Sequence, residues 1–164
     1  MLRLFLIDGS SQMYRAYHAP VRTAEGGLLR NAQGTPTNAV YIFVTMLRKL
    51  IADHKPQYIA ASFDLAGPTF RDAAFAAYKA NRTETPPDLL DQIPWIRKTL
   101  EAMRIPLLEY DGFEADDVIG TLSCRAAEQG IEVAIVSSDV VGDARDLFGA
   151  TRALAITNPI WLLP

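Results

Sequence analysis

Apolar residues follow two patterns that alternate along the chain. Short continuous runs have the length of buried strands, and longer stretches repeat their apolar residues every three or four positions, as a helix with one core face does. The runs predict strands at 4–7, 58–63, 105–109 and 131–136, and a weaker one at 153–156. The longer stretches predict helices that begin near 35–38, 89 and 114 and end near 51, 103 and 126. This alternation predicts a three-layer α/β domain with a mostly parallel central sheet.

The size and composition of the chain fit one globular domain. With 164 residues, of which 49% are hydrophobic, it can bury a core without cross-links. Its single cysteine, Cys124, excludes a disulfide framework and a cysteine-rich zinc site. The first apolar run is too short for a signal peptide, and the best candidate for a membrane span, 39–47, is too short for that role. A cytoplasmic protein without membrane partners is therefore expected.

The net charge of −3 conceals a division within the chain. Residues 1–104 carry 13 Lys and Arg against 9 Asp and Glu, whereas residues 105–164 carry 3 against 10. The two parts could form separate surfaces. Alternatively, they could form one cleft in which cations and carboxylates meet a polyanion and its metal ions.

Acidic residues recur where the predicted strands end. Aspartates follow three of the four stronger strands, the remaining strand leads into an acidic helix start, and the carboxyl ends of parallel strands meet at one edge of a sheet. Six carboxylates are thus predicted to converge: Asp8, Asp64, Glu114, Asp116, Asp117 and Asp139. A helix N-terminus offsets only about 0.3 to 1 kcal/mol per carboxylate, so divalent cations are the natural compensation. Oxygen-only ligands favour Mg²⁺ or Mn²⁺.

Each of these acids also has an ordinary structural interpretation. An aspartate after a strand is commonly a turn former, and the segment from Asp8 to Ser11 is predicted to be such a turn. Acidic residues in the first turn of a helix are common caps. The prediction of a metal site therefore depends on the coincidence of six acids rather than on any one of them.

Basic residues supply a second candidate surface. The alanine-rich, basic segment 67–82 is a further predicted helix. Arg71, Lys79 and Arg82 recur close to one face of it, and Tyr78 lies beside them. Phosphates and a base that can stack would suit these side chains, although a solvated basic face has the same pattern. Arg15, after the first strand, is open to the same two interpretations.

Five segments together resemble the 5′ nuclease domain of bacterial DNA polymerase I, a family that includes phage 5′ nucleases and flap endonucleases. They occur in order and with the expected spacing, at 6–10, 34–40, 63–71, 78–82 and 114–121. The resemblance implies a PIN-like, resolvase-like fold whose carboxylates hold two divalent metal ions. It also implies hydrolysis of phosphodiester bonds in DNA with a 5′ flap, a nick or a free 5′ end.

By position, the resemblance gives roles to the candidate residues. The six acids match metal-site carboxylates. Tyr78, Lys79 and Arg82 match an arch, expected at about 67–87, that steers the 5′ strand, and Lys79 and Arg82 contact the phosphate to be cut. Arg71 matches the start of this arch only in type. A monomer in the bacterial cytoplasm, associated with the nucleoid and with a polymerase in the same chain or a separate one, is implied.

The sequence departs from the family after the predicted nuclease domain at 1–139. The family has a second aspartate two positions beyond the one at 139, but Val141 stands there. Asp143 and Asp146 would replace it only with a shifted backbone. The segment 140–164 is expected to be a divergent or truncated tail that lacks the family's helix-hairpin-helix segment. A weaker second metal site and impaired cleavage are therefore expected.

Three other functions fit part of the pattern. A PIN-type ribonuclease would share the acidic edge, but it would not need the basic arch. A phosphoryl-transfer or receiver-like domain also has aspartates at strand ends, although the Asp-x-Asp pair of aspartyl phosphatases is absent after the first strand. A catalytically weak remnant that only binds DNA is the third alternative.

Overall fold

The computed structural model describes residues 2–19, 29–70 and 84–137, together with the backbone of 153–155. The strands are β1 (Arg3–Asp8), β2 (Tyr58–Ser62), β3 (Leu107–Leu108), β4 (Glu132–Val136) and β5 (Ala153–Ala155). The helices are α1 (Gly9–His18), α2 (Asn38–His54), α3 (Pro87–Leu90), α4 (Ile93–Ala102) and α5 (Ala115–Glu128). All strand pairs are parallel, in the order β3-β2-β1-β4-β5. The predicted α/β class with a mostly parallel sheet is confirmed.

Helices cover both faces of the sheet. Successive residues of a strand point to opposite faces, so alternate residues of β1 belong to two different cores. Phe5 and Ile7 of β1 belong to the larger core, which the sheet forms with α1, α2, α3 and α4. Leu6, between them, belongs to the smaller core with Ile119 of α5. The central strand is therefore buried on both sides, which explains its unbroken apolar run.

The predicted turn after β1 is wrong, because β1 leads directly into α1. Asp8 is the N-cap residue of this helix, and its Oδ1 accepts a hydrogen bond from Ser11 N at 2.9 Å. Turns and N-caps favour the same short polar residues, so the local pattern does not separate them.

The helix predicted over 89–103 is two helices, α3 and α4. Pro94 lies in the first turn of α4 and lacks the N–H that would bond to the carbonyl of Leu90 in one continuous helix. The strand predicted at 105–109 pairs only at Leu107–Leu108, since Pro106 has no N–H for a strand ladder. No helix in the described ranges is both long enough and apolar enough to span a membrane.

Gly9 lies where the start of α1 passes the ring of Phe63. A Cβ built on Gly9 would lie 2.3 Å from Cε2 of Phe63, and this ring is itself buried. Carbon atoms do not pack this closely, so only glycine fits here without displacing the ring. The contact holds the end of β1 against the residue that precedes Asp64.

Gly9→Ala is expected to lower the free energy of unfolding by about 2 kcal/mol, because the added methyl group must push Phe63 out of a packed position. Urea denaturation measures the loss. The control is the same substitution in a Phe63→Leu background, where the smaller side chain relieves the clash and the cost should shrink. An equal cost in both backgrounds would show that the contact with Phe63 is not its source.

The N-terminus of α2 is capped by a side chain from a distant segment. Gln92 is fully buried, and its Oε1 accepts hydrogen bonds from Ala39 N at 2.8 Å and from Val40 N at 3.2 Å. Its Nε2 donates to Asn38 Oδ1 at 3.1 Å and to the Asp88 carbonyl at 2.8 Å. The helix has no side-chain cap of its own at Thr37. Gln92 therefore joins α2 to the segment that carries α3.

Candidate metal centre at the carboxyl edge of the sheet

Asp8 lies at the carboxyl end of β1, the middle strand, and is 6% exposed. Each of its carboxylate oxygens has its own donor. Ser11 N donates to Oδ1 at 2.9 Å, and Ser137 Oγ donates to Oδ2 at 3.1 Å. Because Ser137 follows β4, the neighbour of β1, these bonds fix the carboxylate between the ends of two strands.

Burial raises the pKa of Asp8 from 3.8 to about 6. The hydrogen bonds from Ser11 and Ser137 lower this pKa, whereas the charges of Asp116 and Asp64 raise it. These two carboxylates are thus close enough to disfavour the ionised form of Asp8. Three acids from three separate segments act on one another at this edge.

Asp64 lies two residues beyond β2 and is bonded at both its backbone and its side chain. Its N–H donates to Ser10 Oγ at 2.9 Å, and its Oδ1 accepts from Ala115 N at 2.8 Å. Ala115 is the first residue of α5. Asp64 therefore satisfies one of the open N–H groups at this helix N-terminus, where negative charge is favoured.

The remaining described acids lie at the start of α5. Glu114 is the N-cap residue, and its side-chain Oε1 is shielded from solvent. Asp117 Oδ2 accepts from Glu114 N at 3.0 Å, while Asp116 is exposed in the first turn. Glu114 thus precedes the helix.

The chemistry of these side chains fits a hard divalent cation, since every candidate ligand is a carboxylate oxygen. Ionising Asp8 beside the other acids is unfavourable without such a counter-charge. Within the described ranges, no three Asp, Glu, His or Cys side chains form a ready-made metal site. Asp139, the sixth predicted ligand, lies outside these ranges. The ligand set therefore stays a prediction.

Of the predicted DNA-binding residues, the structure describes Arg15. It lies in the last turn of α1 and lines an apolar pocket with Ile7 and Val136, near the carboxyl ends of β1 and β4. The other four lie outside the described residues: Arg71, Tyr78, Lys79 and Arg82. Most of the arch predicted at 67–87 and most of the tail at 140–164 lie outside them as well, so these two boundaries stay predictions.

The pattern along the chain does not single out two serines that position the acids. Ser10 bonds to the backbone of Asp64, and Ser137 bonds to the carboxylate of Asp8. The available signal for these serines was their position: each lies at a strand end that also has an aspartate. It is a weak signal, because such residues usually bond to their own backbone.

Comparison with known proteins identifies the family. The family described as the N-terminal resolvase-like domain of 5′-3′ exonucleases matches residues 3–153. The chain is 47% identical over 137 residues to DNA polymerase I of Bacillus caldotenax, and 43% identical over 156 residues to DNA polymerase I of Bacillus subtilis. These matches cover 84% and 95% of this chain. They cover only 15% and 17% of the two polymerases.

A solved structure of the bacteriophage T5 flap endonuclease, in a complex with DNA and metal ions, has a similar fold. The TM-score is 0.59 at 18% identity, and the match covers 84% of this chain and 49% of that one. At this identity the likeness concerns the fold alone, and it confirms the predicted PIN-like architecture. The family match and the polymerase relatives confirm the resemblance seen in the sequence and the nuclease class that it implies. The chain belongs to the family of N-terminal, resolvase-like domains of 5′-3′ exonucleases.

Proposed function

We propose that the chain is a divalent-metal-dependent nuclease that hydrolyses phosphodiester bonds of DNA near a 5′ end, on flaps, nicks or free ends. The observation that carries the proposal is the grouping of Asp8, Asp64 and Asp116 at one edge of a parallel sheet. Asp8 ends β1, Asp64 follows β2 and accepts a hydrogen bond from the first residue of α5, and Asp116 lies in the first turn of that helix. Family membership supports the reaction class, and the flap endonuclease solved with DNA and metal ions supports the substrate.

The six carboxylates would hold the cations, and Mg²⁺ or Mn²⁺ suits their oxygen ligands: Asp8, Asp64, Glu114, Asp116, Asp117 and Asp139. When bound, such ions activate water and stabilise the charge of the phosphate under attack. The protein's own part is to hold the acids in place. Ser11 and Ser137 orient Asp8, and the N-terminus of α5 orients Asp64.

We propose that the two cation sites implied by the family differ in their affinity for the ion in this chain. Val141 stands where the resemblance implies a further aspartate. One carboxylate fewer weakens the attraction for the second ion. A higher Mg²⁺ requirement than that of a relative with aspartate at this position follows from the difference.

The basic residues would complete the site on the DNA side. Lys79 and Arg82 would neutralise charge that develops on the phosphate during cleavage. Arg15, Arg71 and Tyr78 would bind the backbone and the bases of the 5′ strand. We further propose that the domain acts as a monomer in the bacterial nucleoid. We also propose that it works with a polymerase in the same chain or a separate one, because its relatives are DNA polymerases.

Cleavage of matched substrates tests this function. We expect a 5′-flap DNA to be cut near its single-strand junction in Mg²⁺ or Mn²⁺, and single-stranded RNA of the flap sequence to stay intact. Asp117→Asn should lower the rate of cleavage by more than about a hundred-fold. Losing a group that only hydrogen-bonds to a metal ligand costs up to about a hundred-fold, and losing a ligand itself should cost more. The control is Asp53→Asn, an exposed helix residue paired with Lys49, which should cut like the unaltered chain.

Each alternative function has its own result in this experiment. Cleavage of the RNA in preference to the flap would favour a PIN-type ribonuclease. Tight binding of flap DNA without metal-dependent cleavage would favour a remnant that only binds. Transfer of a phosphoryl group from acetyl phosphate to Asp8 or Asp64 would favour a receiver-like domain.

A further inference from the structure

Two phenylalanines beside the candidate metal centre expose their rings to solvent. Phe70 is 50% exposed and Phe113 is 52% exposed, whereas the other three phenylalanines of the described residues, at 5, 43 and 63, are buried. Their ring centroids lie 5.8 Å apart with the planes tilted by 53°. This is an attractive aromatic contact, but it leaves about half of each side chain in water. We call these two residues the aromatic pair.

Each phenylalanine of the aromatic pair lies in a segment that also carries one of the acids. Phe113 immediately precedes Glu114, the N-cap residue of α5, and lies two residues before Ala115, whose N–H bonds to Asp64. Phe70 follows Asp64 by six residues, and its N–H donates to the Gly112 carbonyl at 3.1 Å. The backbone bond and the ring contact together hold the two segments at a fixed spacing. The rings therefore form a preorganised surface next to the carboxylates.

The size and setting of the pair favour one class of occupant. A stable protein interface buries about 800 Å² on each partner, which is far more than two side chains supply. One aromatic side chain is enough to stack one nucleobase, and every base offers a flat face for this contact. Phenyl rings carry neither a cation nor a hydrogen-bond donor for a phosphate, so a base rather than a phosphate is the part of a nucleic acid that fits on the pair.

We propose that Phe70 and Phe113 form a stacking site for a nucleobase of the single-stranded 5′ end, next to the bond that is cut. This inference rests on the proposed function, because that function supplies the DNA. The stacked base positions the strand by its face and not by its hydrogen-bonding edge, so the site holds any of the four bases. Its contribution adds to that of the basic residues, which bind the backbone.

Binding of a fluorescent oligonucleotide tests the stacking directly. The probe is a 5′-phosphorylated oligothymidylate with 2-aminopurine placed in turn at each of its first three positions, in Ca²⁺ in place of Mg²⁺. Stacking on an aromatic ring quenches 2-aminopurine, so we expect quenching at one of these positions. Phe113→Leu, Phe70→Leu and the double variant should remove the quenching and weaken binding by about ten-fold. Phe113→Trp should retain both.

Two controls separate stacking from general damage. Tyr58→Leu removes an exposed aromatic residue at the opposite end of a strand and should change neither signal. An abasic nucleotide at the quenched position should weaken binding by the unaltered chain, but it should have no further effect on the double variant. Circular dichroism melts verify that the variants fold.

The inference is overturned if no position is quenched, if the leucine variants bind the probe as tightly as the unaltered chain, or if the abasic nucleotide weakens binding to the double variant equally. A failure of the proposed function gives a different result: the unaltered chain does not cut flap DNA in Mg²⁺, whether or not the probe is quenched.

Discussion

Asp8→Asn is expected to abolish DNA cleavage and, at the same time, to stabilise the metal-free protein by about 3 kcal/mol at pH 8. The amide loses the charge that a cation needs, so cleavage should fall by more than about a hundred-fold. Its oxygen can still accept from Ser11 N, and its NH₂ group can donate to Ser137 Oγ in place of the bond that Ser137 donates to Asp8. The fold therefore keeps its contacts while the site loses its function.

The gain in stability follows from the pKa of Asp8. Burial raises this pKa from 3.8 to about 6, so the folded state binds the proton more tightly than the unfolded state does. The favourable contribution of the protonated acid is fully present below about pH 3.8 and is lost as the pH rises through 6. Above that pH the ionised side chain destabilises the fold. The asparagine of the variant is never ionised, so the advantage of the variant should grow between pH 4 and pH 7.

Urea denaturation in EDTA at pH 4, 6 and 8 measures this effect as the difference between the two proteins. Asp53→Asn is the control, because its exposed ion pair with Lys49, at 3.0 Å, contributes less than about 1 kcal/mol. Saturating Mn²⁺ should reverse the order of stability, since only the aspartate binds the ion well. An Asp8→Asn variant that is less stable than the unaltered chain at pH 8 in EDTA would contradict the assignment.

Gln92→Leu is expected to lower the free energy of unfolding by about 3 kcal/mol. Leucine fills a similar volume, but it leaves the N–H groups of Ala39 and Val40 without the acceptor they share. Each buried donor without an acceptor costs about 1 to 3 kcal/mol. Because the total stability of a domain is about 5 to 15 kcal/mol, this single change would remove a large fraction of it.

A thermal melt measures this loss as a decrease in Tm of about 10 °C. The matched control is Gln129→Leu, which makes the same chemical change at an exposed position at the end of α5. This control should leave Tm within a degree or two. If both variants melted together with the unaltered chain, the hydrogen bonds of Gln92 would contribute nothing to the stability of α2.

Local patterns predicted the sheet, because each strand carries its own signal. The run from Leu4 to Ile7 is apolar throughout, since both faces of β1 are covered. Even β5 was predicted from a short apolar stretch and is confirmed at Ala153–Ala155. The cap by Gln92 had no comparable signal, because its two acceptor bonds join residues 52 and 53 positions apart.

The same distinction applies to the site. Parallel topology alone predicts that Asp8 and Asp64 lie at one edge of the sheet, because all parallel strands have their carboxyl ends at the same edge. The contact of Asp64 with Ala115 spans 51 positions, and it depends on how α5 docks. The ring contact of Phe70 and Phe113 is likewise non-local. No periodicity within a segment reports such contacts, so they become visible only in the fold.

Three of the acids that would hold metal ions also bond to backbone N–H groups at helix N-termini. Asp8 accepts from Ser11 N, Asp64 from Ala115 N and Asp117 from Glu114 N. A relative of this chain without nuclease activity would still need acceptor oxygens at these positions in order to begin its helices. Selection for folding alone would preserve an acceptor oxygen at these positions but not its charge, because asparagine caps a helix as aspartate does. Carboxylates kept at all three positions are therefore explained by the cation and not by the helices.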